Sequence, residues 1–314
     1  MLPHRPAGAA PEDYASFLPP ARRKSLTPAV SEWWPWREHR VHLLRLRDAS
    51  APVRILVVHG AGAHAAALWP VASLLTGRNV DLTAVDLPLY GRTVTASRGT
   101  VTYADWVALL VDLVSAEDDG RPVILLGASI GGLLTVEAAA HSRRVAAVVA
   151  TCLLDPRKSD ARSAMTRLGP LALAFMPLLR LVRGPIARFP VKVSWIADLR
   201  RMGRNPGLGR LCAQDPRGGG AWIPLGFLAS YMQYPHSEAR TALVPVHLMH
   251  PELDEWTPAE LSEVTLRTLP GPTTSRLLHG CGHFPLEEPG LQDLLSGLAE
   301  VAADAVPSIK AKPS

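Results

Sequence analysis

Hydrophobic and polar positions alternate along this chain with two different periods. Short, nearly continuous apolar runs predict buried strands at residues 54–58, 80–87, 123–126, 145–154, 244–249 and 275–279. Amphipathic stretches between them predict helices near residues 65–75, 103–115, 258–268 and 290–305, and an alanine-rich helix after residue 130. Strands that alternate with helices are typical of parallel βαβ units, and strands without polar positions favour a sheet that is covered on both faces.

Two N-terminal segments depart from this rhythm. Residues 38–48 alternate apolar and polar side chains, which predicts a half-exposed antiparallel strand at the edge of the sheet. Residues 1–30 contain six prolines, which block regular structure, so this segment is predicted to be a flexible N-terminal arm.

A long insertion interrupts the alternation of strands and helices. Residues 155–243 contain apolar helical stretches that are broken by arginine, proline and glycine, and we interpret them as a helical cap inserted between two strands. The predicted domain organisation is an arm (1–30), a core (31–154 and 244–305), the inserted cap (155–243) and a short C-terminal tail (306–314).

The composition is that of a globular protein. Apolar residues make up 47% and charged residues 19% of the 314 positions. The sequence contains no uninterrupted run of 18 apolar residues, so it predicts no membrane-spanning helix. The first thirty residues lack the apolar core of a secretory signal. Cys152, Cys212 and Cys281 show no metal-ligand spacing, so the sequence predicts free thiols, no metal site and a cytoplasmic location.

The net charge of +5 is concentrated in the insertion. Residues 157–217 carry thirteen Lys or Arg against three Asp or Glu, a net charge of +10. This charge favours peripheral contact with anionic lipid or an anionic substrate, and it is equally typical of a solvated surface. The apolar stretch 168–181 fits either a helix that lines an acyl pocket or one that dips into a membrane surface. No nucleic-acid-binding motif is found, so no nucleic-acid partner is predicted.

The pattern G-x-S-x-G occurs at residues 127–131, after a buried strand and before a helix. In this context the serine lies on a sharp turn whose flanking residues must be small, which predicts that Ser129 is a nucleophile. The amide of Ile130 then points toward an oxygen bound in front of the helix N-terminus.

A nucleophilic serine needs a base and a group that orients the base. Asp254 lies in the loop after strand 244–249, and His283 lies in the loop after strand 275–279. Since the carboxyl ends of parallel strands meet at one edge of a sheet, these residues are predicted to join Ser129. Asp155, Glu252 and Glu255 are alternative acids, and His279 is the alternative base. A second oxyanion donor is predicted at Ala61, in the small-residue loop HGAG.

Five motifs occur in the order HGAG, DLPLYGRT, GASIGG, LDEWTP and GCGHFPLEEP. With them the chain resembles the α/β-hydrolase fold superfamily over about residues 38–154 and 244–305. The resemblance implies an α/β fold with an eight-stranded, mostly parallel sheet, helices on both faces and a helical cap. It also implies Ser–His–Asp hydrolysis without a cofactor. Leu89 and Pro251 stand where many relatives have glycine.

These observations predict a serine hydrolase that cleaves a small-molecule ester of an apolar acyl group through an acyl-enzyme. Thioester hydrolysis, cofactor-free haloperoxidation and C–C bond hydrolysis use the same three residues and remain alternatives. A non-catalytic binding protein of the same fold is the alternative from another class. The sequence leaves the oligomeric state open.

Overall fold

The fold is built on one mixed sheet. A computed structural model describes residues 7–75, 77 and 79–306. Its strands are β1 (Val30–Trp36), β2 (His39–Leu46), β3 (Val53–Val58), β4 (Val80–Val85), β5 (Val123–Gly127), β6 (Val145–Ala150), β7 (Pro190–Lys192), β8 (Trp222–Pro224), β9 (Val246–Pro251) and β10 (Thr273–Leu278). Eight strands pair in the order β1-β2-β4-β3-β5-β6-β9-β10, parallel except at β1 and β2. This confirms the predicted eight-stranded, mostly parallel sheet.

Helices connect the strands and cover the sheet. They are α1 (Pro11–Ala15), α2 (Pro20–Arg23), α3 (Ala65–Ser73), α4 (Tyr103–Ala116), α5 (Ile130–Ala139), α6 (Ser159–Met165), α7 (Ala172–Leu179), α8 (Gly184–Ala187), α9 (Val193–Ile196), α10 (Pro206–Gln214), α11 (Leu225–Gln233), α12 (Ala259–Leu266) and α13 (Gly290–Ala305). Every residue of β4 and β5 is buried, so the centre of the sheet is covered on both faces.

The prediction of an edge strand at residues 38–48 is wrong in one respect. The strand β2 is antiparallel as predicted, but β1 takes the edge and β2 pairs on both sides. Arg40 is exposed, but His42 and Arg45 are buried because each has a partner: His42 Nδ1 lies 2.7 Å from Asp86 Oδ2, and Arg45 bonds Glu117 at 2.7 Å. Two of the polar positions in the alternating pattern are therefore buried in pairs instead of facing solvent.

The N-terminal arm differs from the flexible segment that its prolines predict. In its described part, from residue 7 onward, the short helices α1 and α2 form, and Tyr14 and Leu18 are fully buried. The Tyr14 hydroxyl donates to Asp215 at 2.7 Å, and Arg22 forms an ion pair with Glu288 at 2.7 Å. Prolines at the first turns of α1 and α2 start these helices instead of blocking them.

The insertion between β6 and β9 contains α6 to α11 and the antiparallel pair β7–β8. One cluster of buried apolar residues continues from the sheet into the insertion through Met165, Val193 and Ile223. Among the described residues, no helix is both long and apolar enough to cross a membrane. The predicted tail, residues 306–314, lies outside the described residues except for residue 306.

Candidate active site

Ser129 lies on the sharp turn between β5 and α5, with φ 54° and ψ −126°. This backbone conformation is strained for a residue with a side chain. The neighbouring glycines are required by close packing: a Cβ on Gly131 would lie 2.8 Å from the carbonyl oxygens of Val58 and His59, and one on Gly132 would overlap the carbonyl of Cys152. The turn can therefore approach both adjacent strands, and it leaves the serine half-buried at its tip.

Thr151 holds this turn from the end of β6. Its hydroxyl accepts a hydrogen bond from the Ser129 amide at 3.1 Å, and its own amide donates to the Gly127 carbonyl at 3.0 Å. No sequence signal identified Thr151, because a threonine after a buried strand is common and its contact with Ser129 is made only in the folded sheet.

Asp254 and His283 form a buried pair at the carboxyl ends of β9 and β10. His283 Nδ1 lies 2.7 Å from Asp254 Oδ2. The amides of Trp256 and Thr257 each donate to Asp254 Oδ1 at 2.9 Å, and the Thr257 hydroxyl donates to Oδ2 at 2.8 Å. The carboxylate is thereby fixed in one orientation, and it in turn fixes the imidazole.

The two groups shift each other's protonation. Burial alone would raise the pKa of Asp254, but the charge and hydrogen bond of His283 outweigh it and lower that pKa to about 2. Burial alone would lower the pKa of His283, but the Asp254 carboxylate and the Cys152 sulfur raise it well above its ordinary value. The structure thus pairs an ionised acid with an imidazole of increased basicity.

The second nitrogen of His283 is available for proton transfer. Its Nε2 atom is buried and has no hydrogen-bond partner among the described residues. His283 and Ser129 line the same cavity, although the serine hydroxyl is not hydrogen-bonded to Nε2. Such a contact is commonly long without substrate and shortens when one binds.

The loop at residues 59–62 packs against the serine turn. A Cβ on Gly60 would lie 2.7 Å from the Ala128 carbonyl and 2.7 Å from Ser129 Cβ, so only glycine allows this approach. The same packing brings Ala61 next to Ser129. His59 supports the loop: its Nδ1 donates to the Gly60 carbonyl at 2.8 Å and its Nε2 accepts from the Leu87 amide at 3.1 Å.

The rival residues are engaged elsewhere. Asp155 is bound by two nitrogens of Arg157, at 2.9 and 2.6 Å. Glu252 accepts from the Gly280 amide. His279 lies on the surface, where its Nδ1 bonds Asp293 at 2.8 Å. Glu255 is exposed. In the described part of the chain, none of these side chains bonds His283.

Cys152 and His250 extend the buried polar cluster behind the acid, and the sequence did not single them out. Cys152 Sγ lies 3.6 Å from His250 Nε2 and 4.0 Å from His283 Nδ1. Burial opposes ionisation of this thiol, but the nearby imidazoles outweigh it and lower its pKa to about 6. The ligand atoms of Cys152, Asp254 and His283 lie within 4.8 Å of one another. Asp254 Oδ1 accepts two backbone hydrogen bonds, and Oδ2 accepts from Thr257 and His283 and lies 4.0 Å from Cys152 Sγ, so hydrogen bonds account for the closeness of these three groups.

Two apolar cavities meet at Ser129. One has a volume of about 50 Å³ and lies beside α3 and His283. The other, of about 60 Å³, lies under the insertion. Ala61 and Ser129 line both cavities, so a group bound to the serine has apolar space on two sides.

Solved structures similar to this chain share its fold. A monoacylglycerol lipase from Paleococcus ferrophilus is 18% identical, with a TM-score of 0.65 over 87% of this chain and 99% of the other. A soluble variant of monoglyceride lipase from Saccharomyces cerevisiae is 14% identical, with a TM-score of 0.71 over 89% and 97%. A thermostable carboxyl esterase from Bacillus coagulans is 13% identical, with a TM-score of 0.67 over 89% and 99%.

A comparison with curated protein sequences finds no match. The sequence model described as the alpha/beta hydrolase family matches residues 55–292, about three quarters of the chain, including the serine turn and both loops that carry Asp254 and His283. Since that match covers well over half of its length, this protein belongs to the alpha/beta hydrolase family.

Proposed function

We propose that this protein is a serine hydrolase that cleaves a carboxylic ester of an apolar acyl group through an acyl-enzyme. One observation carries the proposal: the Asp254–His283 pair, closed at 2.7 Å, leaves Nε2 unpaired at the cavity that Ser129 lines. An oriented imidazole base beside a strained, half-buried serine is the arrangement that activates a hydroxyl group.

In the proposed reaction, Ser129 Oγ attacks the ester carbonyl carbon while His283 Nε2 takes the hydroxyl proton. The amides of Ala61 and Ile130 stabilise the negative oxygen of the tetrahedral intermediate. His283 then gives its proton to the leaving alcohol, and the acyl group stays on Ser129. Water attacks this acyl-enzyme with His283 again as base, which releases the acid. Asp254 keeps Nδ1 protonated and stabilises the imidazolium throughout.

The apolar cavities support the substrate class. The cavity under the insertion is lined by side chains such as Ile223, Phe227 and Met232, and we assign the acyl chain to it. The alcohol part of the ester is assigned to the cavity beside α3. The monoacylglycerol lipases and the carboxyl esterase of the same fold agree with an ester of this kind. The buried free cysteines fit a reducing compartment, and we propose a cytoplasmic location.

A fluorophosphonate probe and an ester assay test the proposal. The wild-type protein should be labelled at Ser129, and Ser129→Ala should lose labelling and about 10⁴-fold or more of its turnover of p-nitrophenyl butyrate. Ser142→Ala, after the end of α5, is the matched control and should behave as wild type. An unlabelled wild type indicates a binding protein, and a higher kcat/KM for the matched thioester indicates a thioesterase.

A further inference from the structure

The insertion exposes an unusual amount of apolar surface. Half of the sixteen large hydrophobic side chains that are exposed among the described residues fall within residues 168–195. They are Leu168, Leu171, Phe175, Leu178, Leu181, Ile186, Phe189 and Trp195. We call this set the cap face. Monomeric proteins seldom leave such a concentration of apolar side chains in water without a partner.

Helix α7 shows that this exposure is not a by-product of core packing. One side of the helix, with Met176 and Leu179, packs on the core. Beside this packed side, Phe175 and Leu178 are 51% and 58% exposed, and Leu171 just before the helix is 69% exposed. A surface helix that is apolar beyond its packed side has a second apolar surface to cover.

The charges around the cap face have one sign. Residues 161–197 contain six Lys or Arg and no Asp or Glu. Arg180, Arg183 and Arg188 are exposed among the apolar side chains, and in the described part of the chain none of them forms a salt bridge. Exposed apolar side chains ringed by arginine are typical of segments that lie in the interface of an anionic bilayer.

We propose that the cap face docks on an anionic lipid bilayer, with its apolar side chains among the acyl chains and its arginines at the headgroups. A second copy of this chain is a poorer occupant, because a symmetric contact would bring like charges together on both sides. A bilayer offers acyl chains that cover the apolar side chains and anionic headgroups that pair with the arginines.

A groove under α7 connects this surface to the proposed substrate site. Phe175 and Trp195 line its outer part. Its inner wall is shared with the acyl cavity and consists of Thr166, Ile196, Leu228 and Met232. Docking would therefore place the acyl cavity one layer of side chains from the membrane, and we infer that acyl esters enter from the bilayer. This last step rests on the proposed function, whereas docking itself does not.

Vesicle co-sedimentation tests the proposal. Wild-type protein should bind phosphatidylglycerol/phosphatidylcholine vesicles and bind pure phosphatidylcholine about tenfold less, with binding weakened by salt. The variant Leu171→Ser/Phe175→Ser/Leu178→Ser should lose about tenfold or more of its binding. Val30→Ser/Val264→Ser, which changes two exposed apolar side chains outside the insertion, is the matched control and should bind as wild type.

A second variant and two further measurements separate the possible outcomes. Arg180→Gln/Arg183→Gln/Arg188→Gln should lose the preference for anionic vesicles, and Ser129→Ala should keep it, so docking can fail independently of hydrolysis. Both surface variants should retain circular dichroism and turnover of a water-soluble ester. The proposal is overturned if wild type does not bind vesicles, if Leu171→Ser/Phe175→Ser/Leu178→Ser binds as wild type, or if sedimentation shows a dimer that this triple variant dissociates.

Discussion

Ser129 illustrates how the fold maintains a strained residue. Its φ of 54° costs about 1–3 kcal/mol in a residue with a side chain. The hydrogen bonds to Thr151 and the packing of Gly60 and Gly131 around it hold the turn in place. Because Gly60 follows β3 and Thr151 follows β6, the strained turn is supported from both strands that flank β5.

The pairing of Asp254 with His283 predicts how activity responds to pH. As the proposed base, His283 must be neutral to accept a proton, and the Asp254 carboxylate raises its pKa, so kcat/KM should rise with pH through that raised pKa. In Asp254→Asn the imidazolium loses its stabilising charge. The pKa of His283 should then fall, and the acidic limb of the profile should move to lower pH while kcat drops about 10³- to 10⁴-fold.

A pH–rate profile of a soluble ester measures both effects. Glu252→Gln is the matched control, because Glu252 is an exposed carboxylate on the same loop and bonds a backbone amide rather than His283. An acidic limb that stays in place in Asp254→Asn would show that another group sets the pKa of the base.

At the scale of elements, one buried carboxylate joins three parts of the chain. Asp215 follows α10 in the insertion, accepts from Tyr14 of α1 at 2.7 Å, and pairs with His64, which precedes α3, at 2.7 Å. The arm, the insertion and the core are therefore tied at a single point next to the loop of Ala61.

Tyr14→Phe tests this connection. It removes one hydroxyl donor from a buried carboxylate and should lower the free energy of unfolding by about 1–3 kcal/mol, measured by urea denaturation. Ser16→Ala removes an exposed hydroxyl from the same segment and should change it by less than about 0.5 kcal/mol. Equal stabilities of the two variants would mean that the arm does not brace the insertion.

At the scale of the molecule, the proposed function assigns the reacting groups to the sheet and the substrate space to the insertion. Ala197 lines the cavity under the insertion, and Ala63 lines the one beside α3. Both alanines are buried to the same degree, which makes them a matched pair.

Filling either cavity should change a different part of the substrate preference. Ala197→Phe should lower kcat/KM for long acyl esters about tenfold or more relative to acetate. Ala63→Phe should discriminate against large alcohols instead. An acyl-length series with both variants, checked by thermal unfolding, measures this. A shorter acyl preference in Ala63→Phe would place the acyl chain beside α3.

The amino-acid sequence by itself determined the central strands, the helices between them and the motif around Ser129. Buried strands and sharp turns leave local signals, because a short apolar run followed by closely spaced glycines and an apolar helix is typical of a strand that turns sharply into a helix. The positions of Asp254 and His283 followed from a general property of parallel sheets, whose strands present their carboxyl ends at one edge.

Only the tertiary structure decided which polar residues are buried and which apolar residues are exposed. Arg45 contacts Glu117 across a sequence separation of 72 residues, and Cys152 contacts His250 across a separation of 98. No local sequence pattern can therefore predict either contact. The apolar stretch at 168–181 is compatible with either a buried or an exposed position, because a hydrophobic pattern shows which side chains are apolar and not what covers them. Packing of the insertion on the sheet buried one side of α7 and left the adjacent side exposed.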